Sequence, residues 1–180
     1  MNNLYFEILT QVIDTNRRLA DKLGEVSREA ITDHITNLYN WSAFDKFCDQ
    51  AEGDWSVVVF DIDNFNRYNN EYGHLEGNAV LRTVGDTLIE AMRDSDESHG
   101  FRFGGDEFVL VVRGDIHVAR RVCASFQRIL KTNTENGNRM ITVSAGVSKL
   151  NLCNPSASIR SADVGLYKSK ALGKDRISVA

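Results

Sequence analysis

Two continuous apolar runs, each bordered by an acidic residue, limit the folds open to this chain. The runs are "WSVVVFD" at residues 55–61 and "EFVLVV" at residues 107–112. A continuous apolar run of this kind, with an acid at its end, indicates a buried strand. The acids then lie where the buried strands end, at the border of the sheet.

Helical and strand patterns alternate along the chain. Paired glycines suit a tight turn, so "FRF" and "EFVLVV" around Gly104 and Gly105 predict a β-hairpin. One helix is predicted over residues 76–92, and its apolar face contains Val80, Leu81, Val84, Leu88 and Met92. The remaining predicted elements are a helix at 116–131, a strand at 139–148, a helix at 158–174 and a strand at 176–179. The order β-α-β-β-α-β followed by α-β begins as a ferredoxin-like split βαβ, an α/β (α+β) architecture.

Residues 1–30 differ from the rest of the chain. Apolar or small residues recur there at steps of four and three, at Ile8, Val12, Thr15, Leu19, Leu23, Val26 and Ala30. The pattern favours a dimerising stalk helix over a helix packed on its own domain, although it is short for a free-standing coiled coil. A polar, turn-rich join, "TDHITNLYNWSAF", follows it. We therefore divide the chain into a signalling helix (1–30) and one domain (31–180).

Composition excludes several classes of protein. The formal net charge is -4 and there is no Lys/Arg run, which argues against a nucleic-acid-binding chain. No apolar run reaches membrane-spanning length and no secretion signal is present, so we expect a cytoplasmic protein. The cysteines Cys48, Cys123 and Cys153 follow no metal-ligand spacing and predict buried free thiols in a reducing compartment.

Acidic residues converge in the predicted fold. In a split βαβ, the first strand lies beside the hairpin, which brings Asp61 close to Asp106 and Glu107, with Asp63 nearby. Like charges so placed repel one another, and oxygen ligands left open to water and phosphate suit Mg²⁺ or Mn²⁺. Two such metals can activate an attacking hydroxyl and stabilise a departing pyrophosphate. The alternative is a polar hairpin tip with unrelated acids.

Other phosphate and metal motifs are missing from the sequence. An EF-hand would need an oxygen ligand at Phe65, glycine at Asn66 and an acid at Tyr72. No G-x-x-x-x-G-K-[ST] loop, serine triad or zinc-type His/Cys cluster occurs.

Residues from about Asp33 to Ile177 resemble the GGDEF family of diguanylate cyclases in five ordered blocks. "DHITNLYN" is similar to D-x-L-T-G-L-x-N-R, and "FDIDNFNRYNNEYGHLEGN" to F-D-I-D-x-F-K-x-I-N-D-x-x-G-H-x-x-G-D. "RFGGDEF" carries the family's signature, and "ITVSAGVS" and "ADVGLYKSKALGKDRI" resemble its two C-terminal blocks. The resemblance implies a palm-type nucleotidyl cyclase fold, with a central, mainly antiparallel sheet flanked by helices.

The resemblance also implies an activity. Two GTP molecules, one on each protomer of a homodimer, would be condensed into the bacterial second messenger cyclic di-GMP with release of two pyrophosphates. Each 3′-hydroxyl attacks the α-phosphate of the other nucleotide, with Mg²⁺ or Mn²⁺ as cofactor. The homodimer would form through the N-terminal helix, through facing active sites, or through both. An upstream sensor or a partner protein would supply the signal.

The family's residue roles carry over position by position. The metal ligands would be Asp61, the carbonyl of Ile62, Asp106 and Glu107, and the last two would also be the catalytic acids. Cations near the terminal phosphates would be Lys170 and Lys174, the latter where the family often has Arg. The other nucleotide-binding positions would be Phe65, Asn66, Asn69, His74, Asn78, Gly104 and Gly105.

One departure from the family pattern concerns base recognition. Asn78 stands where the family has the Asp of G-H-x-x-G-D. A carboxylate accepts both N–H groups of the guanine edge, whereas a carboxamide accepts on one side and donates on the other, which fits adenine. Two function hypotheses follow: cyclic di-GMP synthesis with guanine held by Asn69 and other contacts, or relaxed selectivity with use of ATP and mixed or adenine products.

Further departures leave a third hypothesis open, a degenerate nucleotide-binding module. Asn66 replaces a Lys near the phosphates, and Asn70, Asn37 and Trp41 replace an Asp, a Gly and an Arg. The product-inhibition pattern R-x-x-D would fall on Ser95 and Ser98, whereas Arg93 and Asp96 lie two residues too early. We therefore treat Arg93 and Asp96 as a possible inhibitory site whose alternative is an ordinary charged helix end.

Overall fold

The computed structural model describes residues 31–93, 97–135 and 140–180, together with Arg18 and Lys22, which are helical. The strands are β1 (Tyr39–Asn40), β2 (Trp55–Ile62), β3 (Ser98–Gly104), β4 (Glu107–Arg113), β5 (Val143–Leu150) and β6 (Ile177–Val179). The helices are α1 (Trp41–Gln50), α2 (Phe65–Tyr72), α3 (His74–Met92), α4 (Ile116–Glu135) and α5 (Pro155–Ala171).

The strands form one six-stranded mixed sheet in the order β1-β3-β4-β2-β5-β6. The four inner strands pair antiparallel with one another, while the outer strands β1 and β6 run parallel to β3 and β5, respectively. The predicted split βαβ is confirmed, because β2 lies between the hairpin strand β4 and β5. This arrangement places the carboxyl end of β2 beside the hairpin turn.

Helices cover both faces of the sheet, as the resemblance to the GGDEF family implied. Alternate residues of β2, such as Val58 and Phe60, face one core cluster that also contains the buried faces of α3 and α4. The intervening residues, such as Val57 and Val59, face a second cluster with α1 and α5. Each fully buried side chain of this size stabilises the fold by about 1.5–3 kcal/mol. A strand buried on both faces is therefore a rigid support for the acid at its end.

Two helices were not predicted. The join at residues 32–44 was interpreted as polar and turn-rich, but α1 begins within it at Trp41, and the side chain of Asn40 accepts a hydrogen bond from the amide of Ala43. Phe44 and Cys48, one helical turn apart, bury the inner face of α1. The short helix α2 separates β2 from α3, and only Phe65 of its residues is buried.

The prediction of buried thiols is confirmed for two cysteines and wrong for the third. Cys48 and Cys123 are buried, whereas Cys153 is exposed because it lies in the turn between β5 and α5. Burial, with the charges of Asp45 and Asp49, raises the pKa of Cys48 to about 11. Burial alone raises the pKa of Cys123 to about 12. Both thiols are therefore held in the unreactive, protonated form.

The predicted stalk at residues 1–30 lies outside the described residues, apart from Arg18 and Lys22. Within the three described ranges, no helix combines the length and the apolar character needed to cross a bilayer.

Candidate active site at the hairpin edge of the sheet

The glycine turn is built by backbone conformations that favour glycine. Gly105 and Asp106 form a two-residue turn between β3 and β4, and the φ angles of Gly104 and Gly105 are 150° and 51°. Such angles strain any residue with a Cβ atom. A Cβ built on either glycine would meet no atom within 4 Å. The backbone of the turn therefore faces open space, where a ligand can approach it closely.

Hydrogen bonds from the side chain of Arg102 support this turn. Arg102 donates hydrogen bonds to the carbonyl oxygen of Gly105, from Nε at 3.1 Å and from Nη2 at 2.7 Å. Its Nη1 donates to Asp33 at 2.9 Å, and Asp33 also accepts from the amide and the hydroxyl of Thr36. Sequence reasoning missed this network. The network could have been suspected from Arg102, an arginine on a strand beside a glycine turn. A buried arginine needs hydrogen-bond acceptors.

Asp61 lies at the end of β2, directly opposite Glu107 in the β2–β4 register. Its Oδ1 is 2.8 Å from Nζ of Lys170 on α5. Burial raises the pKa of Asp61, and the charges of Asp106 and Asp63 raise it further, while Lys170 opposes the shift. Asp61 thus lies opposite Glu107 and within electrostatic range of Asp106 and Asp63, and Lys170 balances part of the negative charge.

Lys174, the second predicted cation, contacts the turn that follows β2. Lys174 follows α5 with a φ angle of 65°, and its Nζ donates to Oδ1 of Asn64 at 2.6 Å. Asn64 itself has a φ angle of 62°. The two lysines, which are 4 residues apart in the sequence, therefore contact the carboxyl end of β2 and the turn that follows it, at Asp61 and Asn64.

The other candidate nucleotide residues lie on α2 and at the start of α3. His74 and Asn66 are exposed, and Asn69 and Asn78 are half-buried. Asn69 packs against Gly77, where a Cβ would lie 1.8 Å from Asn69 Oδ1. That oxygen is buried and has no hydrogen-bond partner within the described part of the chain. It is therefore an acceptor that a ligand could satisfy.

The remaining candidate residues are Phe65 and the possible inhibitory pair, Arg93 and Asp96. The side chain of Phe65 is buried in the core, so only its backbone can reach a nucleotide. Arg93 is exposed and directly follows α3, while Asp96 lies outside the described residues. The possible inhibitory site is therefore not tested by the structure.

The donor set fits a magnesium ion bound jointly with substrate. Across residues 31–93, 97–135 and 140–180, no three His, Cys, Asp or Glu side chains come close enough to hold a metal on their own. Mg²⁺ is usually held by one or two carboxylates plus waters and substrate phosphates, not by an all-protein cage. Asp61 beside the Asp106–Glu107 turn, next to open space, supplies ligands of that kind.

Comparison with known proteins gives the family. The family model "Diguanylate cyclase, GGDEF domain" matches residues 30–176. The diguanylate cyclase DgcS of Shewanella oneidensis is 31% identical over 159 residues, 84% of this chain and 53% of the relative. The diguanylate cyclase VdcA of Vibrio cholerae is 32% identical over 171 residues, 89% of this chain and 50% of the relative. This chain thus spans about half the length of these relatives.

A solved structure agrees with these matches. The coiled coil and GGDEF domain of DgcB from Caulobacter crescentus, in complex with c-di-GMP, superposes with a TM-score of 0.80 at 27% identity. The superposition covers 96% of this chain and 97% of that chain. With the matching family model, it shows that this chain belongs to the diguanylate cyclase GGDEF domain family.

Proposed function

We propose that this protein condenses two GTP molecules into cyclic di-GMP and two pyrophosphates across a homodimer. The observation that carries the proposal is the Asp61–Glu107 pair at the sheet edge, beside Asp106 and an open glycine turn. The family match and the names of the relatives support the same chemistry. Phosphoryl transfer depends mainly on positioning and charge neutralisation, and a rigid sheet edge with acids and lysines supplies both.

In this proposal, Mg²⁺ or Mn²⁺ would be held by the carboxylates of Asp61, Asp106 and Glu107 and by the carbonyl of Ile62. When bound, the metal would supply charge neutralisation at the phosphates and a lowered pKa for the attacking 3′-hydroxyl. Glu107, at the open edge of the turn, is the residue we assign to proton removal from that hydroxyl.

The remaining roles concern nucleotide binding. We assign Lys170 and Lys174 to the terminal phosphates, because Lys170 contacts Asp61 at the carboxyl end of β2 and Lys174 contacts Asn64 just after it. We assign Asn69, His74 and Asn78 to base and sugar contacts, with the backbone of Gly104 and Gly105 lining the nucleotide. Asn66 and the backbone of Phe65 would border the phosphates.

Pyrophosphate release tests the proposal. Wild-type protein with GTP and Mg²⁺ should release pyrophosphate and form cyclic di-GMP, and chelation with EDTA should abolish both. Asp106→Ala should lose turnover while keeping the wild-type circular dichroism spectrum. Asp86→Ala, which removes an exposed carboxylate on α3, is the matched control and should keep full activity. Unchanged turnover in Asp106→Ala would refute the site assignment.

A second candidate function is the same chemistry with altered base choice. Asn78 is half-buried in the first part of α3, close in sequence to Gly77, against which Asn69 packs. Pairing its amide N–H group with a guanine N–H would leave buried donors facing each other, at a cost of about 1–3 kcal/mol. Incubation with GTP, with ATP and with both, followed by mass spectrometry, separates the candidates. Asn78→Asp should shift a mixed product pattern toward cyclic di-GMP.

Assembly and control form a further part of the proposal. Each active site needs a second one facing it, so we propose a homodimer in the cytoplasm, formed through residues 1–30, the facing sites or both. The DgcB structure contains a coiled coil beside its GGDEF domain, which supports a role for residues 1–30. An upstream sensor or a partner protein would then act by changing protomer orientation. If no nucleotide turns over, a binding module is the remaining function.

A further inference from the structure

The carboxylate of Asp63 is occupied by protein donors on both oxygens. Its Oδ1 accepts from the hydroxyl of Ser144 at 2.6 Å, and its Oδ2 accepts from the hydroxyl of Thr142 at 2.7 Å. Oδ2 also accepts from the backbone amide of Asp175 at 3.1 Å. The backbone amide of Asp63 donates to the carbonyl of Thr142 at 2.9 Å. One side chain therefore connects the segment after β2, the start of β5 and the loop after α5.

The joined segments carry groups assigned to the reaction. Ile62, whose carbonyl is a proposed metal ligand, directly precedes Asp63. Lys174, a proposed phosphate contact, directly precedes Asp175 and donates to Asn64, the other neighbour of Asp63. The carboxylate of Asp175 is in turn 2.7 Å from Nζ of Lys131 on α4.

The two loops adopt backbone conformations that need support. Asn64, Lys174 and Asp175 have φ angles of 62°, 65° and 49°, although none is glycine. Residues with a Cβ atom are strained in this left-handed region and persist there only where the surroundings fix them. The hydrogen bonds of Asp63 supply that fixation at the place where the loops meet.

We propose that Asp63 is a positioning residue that locks the segment after β2 to the loop after α5. The lock presents the Ile62 carbonyl and the Lys174 amine in one fixed arrangement. This inference rests on the proposed function for the roles of those two groups. Asp63 acts here as a hydrogen-bond acceptor, because among the described residues its carboxylate accepts from two hydroxyls and one backbone amide.

An amide can replace the carboxylate in this lock. In Asp63→Asn, an oxygen at the Oδ2 position keeps the bonds from Thr142 and Asp175. The amide nitrogen then donates to the Ser144 hydroxyl, which can accept as well as donate. Asp63→Ala removes all three acceptor contacts. Thr142→Val removes one donor to the lock without changing Asp63.

The test compares these variants by hydrogen exchange and by kinetics. Asp63→Ala should speed exchange at the Asp175 amide and lower kcat/KM for GTP by about 100-fold, as expected for a displaced catalytic group. Asp63→Asn should keep slow exchange and stay within about threefold of wild-type kcat/KM. Thr142→Val should fall between the two, and it carries the test if Asp63→Ala does not fold. Asp54→Ala, which removes an exposed partner of Lys149, is the control and should match the wild type.

Two results would overturn the inference. One is wild-type exchange and kcat/KM in Asp63→Ala. The other is an Asp63→Asn protein as inactive as Asp63→Ala with normal exchange at Asp175, because the charge would then matter and the lock would not. A wild-type protein without turnover would refute the proposed function alone, since exchange at Asp175 still reports on the lock.

Discussion

Gly77 shows how the absence of one carbon atom shapes the candidate site. A Cβ at this position would lie 1.8 Å from Oδ1 of Asn69 and 3.0 Å from its Cγ. Only glycine lets the Asn69 side chain lie so close to α3 at this point. The Asn69 oxygen is thereby buried with no hydrogen-bond partner among the described residues, and in the proposed function it would accept from a donor on the nucleotide.

Gly77→Ala should therefore weaken nucleotide binding without unfolding the protein. The clash involves the end of a side chain that can rotate away, and alanine raises helix propensity by about 1 kcal/mol. The free energy of unfolding should stay within about 1 kcal/mol of wild type. The KM for GTP should rise about fivefold to tenfold, the equivalent of one lost hydrogen bond. Urea unfolding and steady-state kinetics give the two values.

Gly85 on the same helix is the matched control. A Cβ there would lie 2.4 Å from the carbonyl oxygen of Thr36, which is backbone and cannot rotate away. Gly85→Ala should lower the free energy of unfolding by about 1–3 kcal/mol. If Gly77→Ala destabilised the protein as much as Gly85→Ala and left KM unchanged, Gly77 would serve packing alone.

At the residue scale, sequence reasoning placed the acids but not their supports. Asp61 and Glu107 could be brought together because strand order and the position of each acid at a strand end set their register. The partners of Asp63 and Arg102 could not be inferred in the same way. Those contacts join Asp63 to residues 79 to 112 positions away, and Arg102 to Asp33, 69 positions away. They depend on loop conformations that have no periodic signal.

At the scale of secondary-structure elements, the contact between β5 and α5 positions Lys170. Their backbones touch directly: a Cβ on Gly146 would lie 1.9 Å from the carbonyl oxygen of Ala162 and 2.2 Å from the amide of Leu166. The buried hydroxyl of Ser169 also donates to the carbonyl of Ala145 at 2.7 Å. Lys170 follows Ser169 and meets Asp61, so the helix position sets the lysine position.

Gly146→Ala should push α5 away from the sheet. Because backbone atoms block the new methyl group, we expect the free energy of unfolding to fall by about 3 kcal/mol, the upper end of the usual range for overpacking. Urea unfolding measures this change. Ser148→Ala on the same strand, where the side chain is half-buried, should behave as wild type. Equal stability of the two variants would contradict the close contact.

The Arg102–Asp33 ion pair, which supports the glycine turn, predicts that the stability of the fold depends on pH. Burial alone would raise the pKa of Asp33, but hydrogen bonds from Thr36 and Arg102 outweigh it and leave the pKa below its ordinary value of 3.8. A lowered pKa means that the carboxylate stabilises the fold above pH 3.8. This stabilisation is lost as the pH falls through the lower value of the folded state.

Asp33→Asn should accordingly lower the melting temperature by a constant amount between pH 5 and pH 7, and by less as the pH falls below about 4. Thermal melts of both proteins across this range measure the difference. Asp54→Asn, at an exposed ion pair with Lys149, should show little difference at any pH. A difference that stayed constant down to pH 3 would show that the Asp33 charge does not contribute.

Among the elements, long periodic helices and apolar strands were predicted well, and short ones were not. The helix predicted at residues 76–92 corresponds to α3. It could be predicted because its apolar face repeats over several turns. The eight-residue helix α2 buries only Phe65, so its sequence carries almost no periodic signal. The helix α1 was not predicted because the segment in which it begins is polar and turn-rich, and its buried face consists only of Phe44 and Cys48.

For the whole molecule, the order of the central strands followed from the sequence because one connection rule governs it, whereas the edge strand β1 was not predicted. A split βαβ places its first strand beside the third, and the observed order agrees. The organisation of the N-terminal thirty residues is a different matter. Their seam predicts dimerisation, which depends on a second copy of the chain.

Mutation of the seam tests that prediction. Leu19→Gln with Leu23→Gln should convert a dimer of twice 20.2 kDa into a monomer in light scattering, because these positions supply the apolar contact. Arg18→Gln with Lys22→Gln changes neighbouring positions that are exposed, and this variant should remain dimeric. Deletion of residues 1–28 should also give a monomer at low concentration.

Activity should follow the same order, because the proposed reaction needs two sites face to face. The seam variant should lose pyrophosphate release at low protein concentration and regain part of it as the concentration rises, since facing domains can still meet. The Arg18/Lys22 variant should show no such dependence. A seam variant that stayed dimeric would place the dimer contact in the cyclase domain, whereas a wild-type protein that was monomeric at every concentration would refute dimerisation through the seam.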